Sequence, residues 1–159
     1  MLNECCPGRD PHGLRQYLPF RSEYLLHGYK LDDWYFEEID VSDDSIAAVV
    51  SIRSHYPSPN GFHLAAPVAF VVLAQLAIIK AHVDLGAQRK EAEVVVTNFN
   101  LSCRRMITSC VEIPFLLTRE DVRTVRAGHS MFSGTFEVGS GAFNGRGDFA
   151  VLRGSGDAQ

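Results

Sequence analysis

A histidine and a tyrosine in one loop-forming segment are the side chains best suited to acid–base chemistry in this chain. The segment, RSHYPSPNGFHLAAP at residues 53–67, is rich in Pro, Ser, Asn and Gly, a composition typical of loops. His63 can accept and return a proton near neutral pH, which makes it the candidate general acid–base. Two prolines after Tyr56 stiffen the loop, so its phenol can donate a hydrogen bond to a carboxylate or carbonyl oxygen.

Each of these side chains also has a plainer interpretation. His63 can be a partly exposed loop residue bonded to a neighbouring carbonyl, and tyrosines such as Tyr56 often cover a core. His55 is a weaker candidate, because only its proximity to Tyr56 supports it. We expect His82 and His129 to be structural or surface residues.

The backbone at residues 64–68, where the loop enters a predicted helix, offers a second kind of chemistry. A reaction at a carbonyl group develops negative charge on the carbonyl oxygen, and preorganised N–H groups stabilise that charge. The small side chains of Ala65 and Ala66 allow close approach to this backbone, and the helix dipole has the favourable sign. Pro67 has no N–H to donate, and the alternative is that Ala-Ala-Pro simply begins a helix.

Two asparagines on a predicted strand form a polar pair. Asn98 and Asn100 are two residues apart, so they share one face, opposite Thr97 and Phe99. If that face looks toward an acyl pocket, an amide can bind a carboxylate or hold the histidine. If it looks outward, both are ordinary surface residues.

Arg104 and Arg105 follow that strand. A guanidinium offers a bidentate site for a carboxylate or a phosphate, and Arg105 is our substrate-binding candidate of the two. The alternative is that both lie at a solvated strand end.

The elements that must position these groups follow from hydrophobic patterning. WYFEEIDV and SIAAVVSI, separated by Asp43-Asp44, predict a hairpin of two strands. A long apolar run begins at Pro67, exceeds the usual length of a buried strand and meets a stop at Gly86, so it predicts a helix. Four more strands are predicted at EAEVVVTNFNL, SCVEIPFLLT, SMFSGTFEV and AFNGRGDFAVLR, with a turn at residues 139–141.

This order predicts an α+β hot-dog fold, in which a curled antiparallel sheet wraps around one long central apolar helix. The helix has no polar outer face, so protein must surround it on most sides, whereas a helix on a flat sheet would need such a face. We assign residues 22–153 to one hot-dog domain, residues 1–21 to an irregular N-terminal arm and residues 154–159 to a flexible tail.

The composition describes a globular domain without the electrostatic signature of nucleic-acid or membrane binding. The chain has 159 residues, 46% of them hydrophobic and 21% charged, with a formal net charge of −4. Four cysteines lack the spacing of a disulfide framework or a zinc site, so we expect free thiols, no metal and no cofactor. The N-terminus has no signal-peptide pattern and the apolar stretch at residues 64–79 is short for a membrane span, which predicts a cytoplasmic protein.

The stretch YPSPNGFHLAAPVAFVVLAQLA, at residues 56–77, resembles the corresponding stretch of the FcoT-type hot-dog acyl thioesterases. Asn98-Phe99-Asn100 adds a shorter match. That group includes actinomycete enzymes that add glycine to the β-carbon of an α,β-unsaturated acyl thioester and then hydrolyse the thioester. Where some members have Asn shortly after the loop histidine, this chain has Leu64-Ala65-Ala66.

The resemblance implies roles and partners. It implies catalytic roles for His63 and Tyr56, an acyl substrate carried on acyl carrier protein or coenzyme A, glycine as the second substrate, and an N-carboxymethyl-3-amino acid as the product. Such products feed β-amino-acid units into polyketide or isonitrile lipopeptide biosynthesis. Hot-dog sheets usually pair edge to edge, so we also expect a homodimer with active sites near the subunit boundary.

Other hot-dog chemistries fit the sequence less well. Dehydratases, and some thioesterases of this fold, use a carboxylate on the central helix, and residues 67–79 contain no Asp or Glu. No GxSxG motif marks a serine nucleophile. A simple acyl thioesterase and a non-catalytic acyl-binding module remain the alternatives.

Overall fold

In the part of the chain that the structure describes, six strands and one helix form in the predicted order. The computed structural model describes residues 33–55, 61–87, 92–126 and 129–153. The elements are β1 Asp33–Val41, β2 Ser45–Ser54, α1 Ala66–Asp84, β3 Ala92–Cys103, β4 Ile113–Arg126, β5 His129–Val138 and β6 Phe143–Arg153. The predicted arm at residues 1–21, residues 22–32 of the predicted domain, the tail at residues 154–159 and Tyr56 lie outside the described residues.

The strands form one antiparallel sheet in the order β1-β2-β4-β5-β6-β3. Strands β4, β5 and β6 follow one another as a meander, whereas α1 carries the chain from β2 to β3 at one edge of the sheet. The predicted bounds of β4 are wrong at both ends. It begins only at Ile113, because residues 110–112 bend and Glu112 has a φ of 52°. It continues to Arg126, because residues 119–126 pair with β5 through two bulges.

The helix α1 lies within the curl of the sheet, against a core of aliphatic and aromatic side chains. Phe132 stacks on Phe149 with ring centroids 4.7 Å apart, and Phe99 stacks on Phe136 at 4.8 Å. Gly147 leaves room for these rings, since a Cβ there would lie 2.8 Å from the ring of Phe149. Aromatic rings packed over strand glycines therefore replace the side chains that β6 lacks.

The other side of α1 is more open than the sequence predicts. Val71 is 47% exposed and Val83 is 50% exposed, so within one subunit protein covers only part of this helix. By length and composition alone α1 is apolar enough to cross a membrane, but half of that apolar window is buried inside the fold. We therefore assign α1 as the core helix of a hot-dog domain, with an apolar outer strip.

A buried lysine lies near the C-terminal end of α1. Lys80 is 1% exposed, and its ammonium donates to the Asp84 carboxylate and, at 3.0 Å, to the carbonyl of Asp43. Arg119 of β4 binds the same carboxylate and the same carbonyl. This cluster ties the β1–β2 turn, the helix and β4 together.

His82 connects the same end of α1 to β3. Its Nδ1 lies 2.7 Å from the carbonyl oxygen of Ile78, and the N–H of Ala92 donates to its Nε2 at 3.1 Å. The imidazole is therefore the tautomer with a proton on Nδ1, and it serves the packing of the helix end.

Candidate active site

The segment that leads into α1 is hydrogen-bonded to the connection between β3 and β4. The N–H of Leu64 donates to the carbonyl of Ile107 at 2.9 Å, and the N–H of Ile52 donates to the carbonyl of Cys110 at 2.7 Å. Residues 104–112 thus bridge the end of β2 and the start of the helix. The conformation of the helix start is fixed by these bonds rather than by a capping side chain.

The backbone N–H groups at the helix start can be accounted for one by one. Those of Val68 and Ala69 both donate to the carbonyl of Ala65, at 3.0 and 3.1 Å, and that of Leu64 is taken by the β3–β4 connection. Ala65 has extended dihedral angles and no side-chain cap, and Pro67 has no N–H. Among the described residues nothing accepts a backbone hydrogen bond from the N–H groups of Ala65 and Ala66.

His63 lies two residues before the cap residue Ala65 and is half-buried. Its neighbour Phe62 stacks on the ring of His55, with centroids 4.8 Å apart and planes inclined by 22°. This contact brings the two described ends of the loop together across residues 56–60. His55, which the sequence ranked below His63, therefore lies beside the candidate site, and Tyr56 follows it in the chain.

Asn98 and Asn100 lie on the other side of the sheet from α1. Both are exposed, whereas Phe99 between them turns inward to the core. A bulge in β3 also leaves Thr97 exposed beside Asn98, so the prediction that Thr97 shares the face of Phe99 is wrong. The outward alternative stated above is the one observed, and the structure does not bring this pair to His63.

Asn98 instead supports a carboxylate on β6. Its side-chain amide donates to Asp148 at 3.1 Å. Hydrogen bonds from Ser133 and then Asn98 hold the pKa of the Asp148 carboxyl below its usual value, and the charges of Arg146 and Arg123 act in the same direction. This arrangement is a surface network on the outer face of the sheet.

The two arginines after β3 have different surroundings. The guanidinium of Arg105 donates to the carbonyls of Gly139 and Ser140, at 2.9 and 3.0 Å, so it holds the β5–β6 turn. The backbone N–H of Arg104 donates to the carbonyl of Ala142 at 2.8 Å, and its side chain is exposed. Of the two, Arg104 has the side chain that is available to a ligand.

Sequence reasoning missed the β3–β4 connection as part of the site. Ile107 follows Met106 in the otherwise largely polar stretch RRMITSC, and it is buried at 7% exposure against the β5–β6 turn. This short apolar pair was the available signal. Among the described residues, no group of three or more His, Cys, Asp or Glu side chains is placed to hold a metal ion, and Cys103 and Cys110 are free thiols.

Comparison with solved structures places this architecture among hot-dog proteins. AziG of S. sahachiroi superposes with a TM-score of 0.50 at 19% identity, over 83% of this chain and 98% of its own. A thioesterase of Haemophilus influenzae gives a TM-score of 0.53 at 14% identity, over 77% and 82% of the two chains. A thioesterase candidate from Silicibacter sp. TM1040 gives 0.50 at 14% identity, over 87% and 85%.

No family model and no curated protein matches the sequence. The chain has the hot-dog fold, as the order of its elements predicted. The resemblance to hot-dog acyl thioesterases is confirmed at the level of this fold.

Proposed function

We propose that this protein is a homodimeric thioesterase that adds glycine to the β-carbon of an α,β-unsaturated acyl thioester and then hydrolyses the product. The observation that carries the proposal is the start of α1. There an imidazole precedes a backbone whose Ala66 N–H has no acceptor among the described residues, inside a fold shared with thioesterases. An N–H at a helix start, next to a general base, is suited to a substrate that develops an oxyanion.

In the hydrolytic step, water attacks the thioester carbonyl while His63 removes its proton. The carbon–oxygen double bond opens to an oxyanion, and the Ala66 N–H stabilises it, with Ala65 adding a second donor. Collapse of the oxyanion breaks the carbon–sulfur bond. The thiol leaves with the proton that His63 had taken, so the imidazole returns neutral.

In the addition step, the same imidazole takes a proton from the ammonium group of glycine. The free amine attacks the β-carbon, the electrons of the double bond move to the α-carbon, and the thioester oxygen carries the negative charge. The imidazolium of His63 then returns its proton to the α-carbon, which leaves the imidazole neutral and the new secondary amine as an ammonium. We assign Tyr56 to the glycine carboxylate. The product of both steps is an N-carboxymethyl-3-amino acid, and we place the reaction in the cytoplasm.

The open side of α1 supports the dimer. Val71 is an exposed apolar residue on a helix that no described residue covers on that side, and β3 is an edge strand with Val95 exposed at 45%. An unpaired edge without lysine or proline is a natural pairing surface. A second copy that adds its own β3 edge would continue the sheet and cover part of the apolar strip.

The experiment is mass spectrometry of 2-enoyl thioesters incubated with the protein, with and without glycine. A free acid heavier by one glycine supports the full proposal, whereas an unmodified acid formed equally in both samples reduces it to a simple thioesterase. A surviving thioester would make the protein an acyl-binding module.

Substitutions then assign the roles of the side chains. We expect His63→Ala to abolish glycine addition and keep the fold, and His129→Ala, on β5 and outside the loop, serves as the matched control. Tyr56→Phe should raise the KM for glycine by about tenfold or more, since a hydrogen bond to a charged group contributes about 1.5–3 kcal/mol. Unchanged turnover in folded His63→Ala would remove this residue from the mechanism.

A further inference from the structure

The turn between β5 and β6 has three successive residues in the left-handed backbone region. Gly139, Ser140 and Gly141 have φ values of 60°, 53° and 79°. Glycine adopts this region readily, whereas a residue with a side chain, such as serine, adopts it rarely. A contact from outside the turn that binds its carbonyl groups would therefore stabilise this conformation.

Arg105, in the connection between β3 and β4, provides such a contact. Its Nη2 atom donates to the carbonyl oxygens of Gly139 and Ser140, at 2.9 and 3.0 Å. The backbone N–H groups of Arg104 and Arg105 donate to the carbonyl of Ala142, at 2.8 and 3.4 Å. The first residues of the β3–β4 connection therefore hold the β5–β6 turn at both of its ends.

The β5–β6 turn in its turn determines where Ile107 lies. A Cβ at Gly139 would lie 2.5 Å from Cδ1 of Ile107 and 2.8 Å from its Cγ1, so this glycine leaves a notch that the Ile107 side chain fills. Ile107 is only 7% exposed in that position. Because a protein interior is close-packed, a side chain that fills such a notch also fixes its own backbone. A shift of the turn would therefore move the carbonyl of Ile107.

The carbonyl of Ile107 holds the start of α1. It accepts the N–H of Leu64 at 2.9 Å, and Leu64 is buried. His63 directly precedes Leu64, and Ala66 follows two residues later. Among the described residues no side chain caps α1, so this backbone bond helps to set where the imidazole and the Ala66 N–H lie.

We propose that Arg105 is a positioning residue for the candidate active site. It acts through contacts that run from Gly139 to Ile107 and on to Leu64, here called the Arg105 relay, and it does not touch the substrate. The inference rests on the proposed function, because it concerns the reaction of that same site. Misplacing a catalytic group by about 1 Å can lower turnover about a hundredfold. Loosening the Arg105 relay should therefore lower kcat and leave substrate binding unchanged.

The first test compares kcat and KM of Arg105→Gln and Arg105→Lys with a 2-enoyl thioester as the substrate. We expect kcat to fall about tenfold in Arg105→Gln at an unchanged KM. Arg105→Lys should restore most of this loss, because an ammonium can still donate to both carbonyls of the turn. Arg123→Gln is the matched control, since Arg123 is an exposed arginine that pairs with Met131 near the opposite end of β4.

Three results of the first test overturn the inference. An unchanged kcat in Arg105→Gln would show that the relay does not affect the reaction. An equal loss in Arg123→Gln would show a general effect of removing a surface charge. A raised KM at an unchanged kcat would assign Arg105 to direct substrate binding.

The second test does not depend on activity. Amide hydrogen exchange is measured by NMR at Leu64, at the end of the relay, and at Ala92, whose N–H donates to His82 near the other end of α1. In Arg105→Gln we expect exchange about tenfold faster at Leu64 and unchanged at Ala92. Unchanged exchange at Leu64, or equal acceleration at both amides, overturns the inference while thioesterase activity stands. Faster exchange at Leu64 alone, in a protein that turns over no thioester, supports the positioning of the helix start by Arg105 and refutes the proposed function.

Discussion

The buried pair of Lys80 and Asp84 gives the sharpest test of how this fold is stabilised. Lys80 is 1% exposed and Asp84 is 27% exposed, so replacing the carboxylate by an amide leaves a buried ammonium with only neutral oxygens, such as the carbonyl of Asp43, as acceptors. Removing one partner of a buried ion pair costs about 3–5 kcal/mol of unfolding free energy. Because Asp84 is partly exposed and water can reach its position, we expect a value at the lower end of that range. We expect Asp84→Asn to destabilise the protein by about 3 kcal/mol.

Replacing the other partner, Lys80, should lower the unfolding free energy far less. In Lys80→Met an unbranched apolar chain of similar length fills the same space, while Asp84 and the Asp43 carbonyl both keep Arg119 as a donor. We expect a change of at most about 1 kcal/mol, because replacing a buried charge with a packed apolar group is often neutral. The double variant should be close to Lys80→Met alone, which gives a coupling free energy of about 3 kcal/mol.

Urea unfolding of the four proteins, followed by circular dichroism, measures these differences if the m-values agree. A loss in Lys80→Met as large as that in Asp84→Asn would refute the reasoning, since the ammonium would then be a net source of stability. Additive losses in the double variant would show that the two charges do not act as a pair.

Three further outcomes are expected. Ser51→Ala should lower the unfolding free energy by about 1–3 kcal/mol, because the hydroxyl of Ser51 accepts the N–H of Glu112 at 3.0 Å in a buried position; an unchanged urea midpoint would contradict this. Gly145→Ala should lower the unfolding free energy by about 3 kcal/mol or more, because a Cβ there would collide with the backbone of β3. Gly141→Ala has open space around it and should lower it by only about 1 kcal/mol, through backbone strain. Similar losses in the two variants would show that the collision does not occur. The pKa of Asp148 is lowered in the fold, so its stabilising contribution is present above the unfolded value of about 3.9 and is lost as pH falls through the folded value. As the pH falls below about 4, the unfolding free energy should therefore decrease less steeply in Asp148→Asn than in the unmodified protein. Equal slopes would show that Asp148 does not contribute to the pH dependence of stability.

The order of elements was predictable because each segment carries a clear period. The apolar run after Pro67 is too long for a strand. In the final segment polar residues alternate with glycine and apolar residues, so the apolar face could be predicted to point inward. The bounds of β4 were not predictable. The bend before it depends on a left-handed Glu112, a conformation that its side chain does not favour. The hydrogen bond that the Glu112 N–H donates to the Ser51 hydroxyl holds this conformation in place.

The candidate site was predictable in part. The loop composition singled out His63, and Ala65 and Ala66 were placed correctly at the helix start. Whether Asn98 faces the helix or the solvent could not be decided from spacing, because alternation assigns residues to opposite faces without saying which face is buried. The burial of Lys80 could not be foreseen either, since a lysine near a helix end is usually solvated.

The pairing of strand β3 with β6 closes a far longer stretch of chain than the β5–β6 hairpin beside it. Ala92 pairs with Arg153, whereas the β5–β6 hairpin closes between Val138 and Phe143. Loop-closure entropy makes such distant pairing slow, so we expect the meander to form before β3 docks. Amide hydrogen exchange should then show that β3 opens at a lower free energy than β4, β5 and β6. Equal protection of all four strands would contradict this order. Until β3 docks, the edge of β6 remains open, and this is the interval in which a newly synthesised chain is most exposed to aggregation.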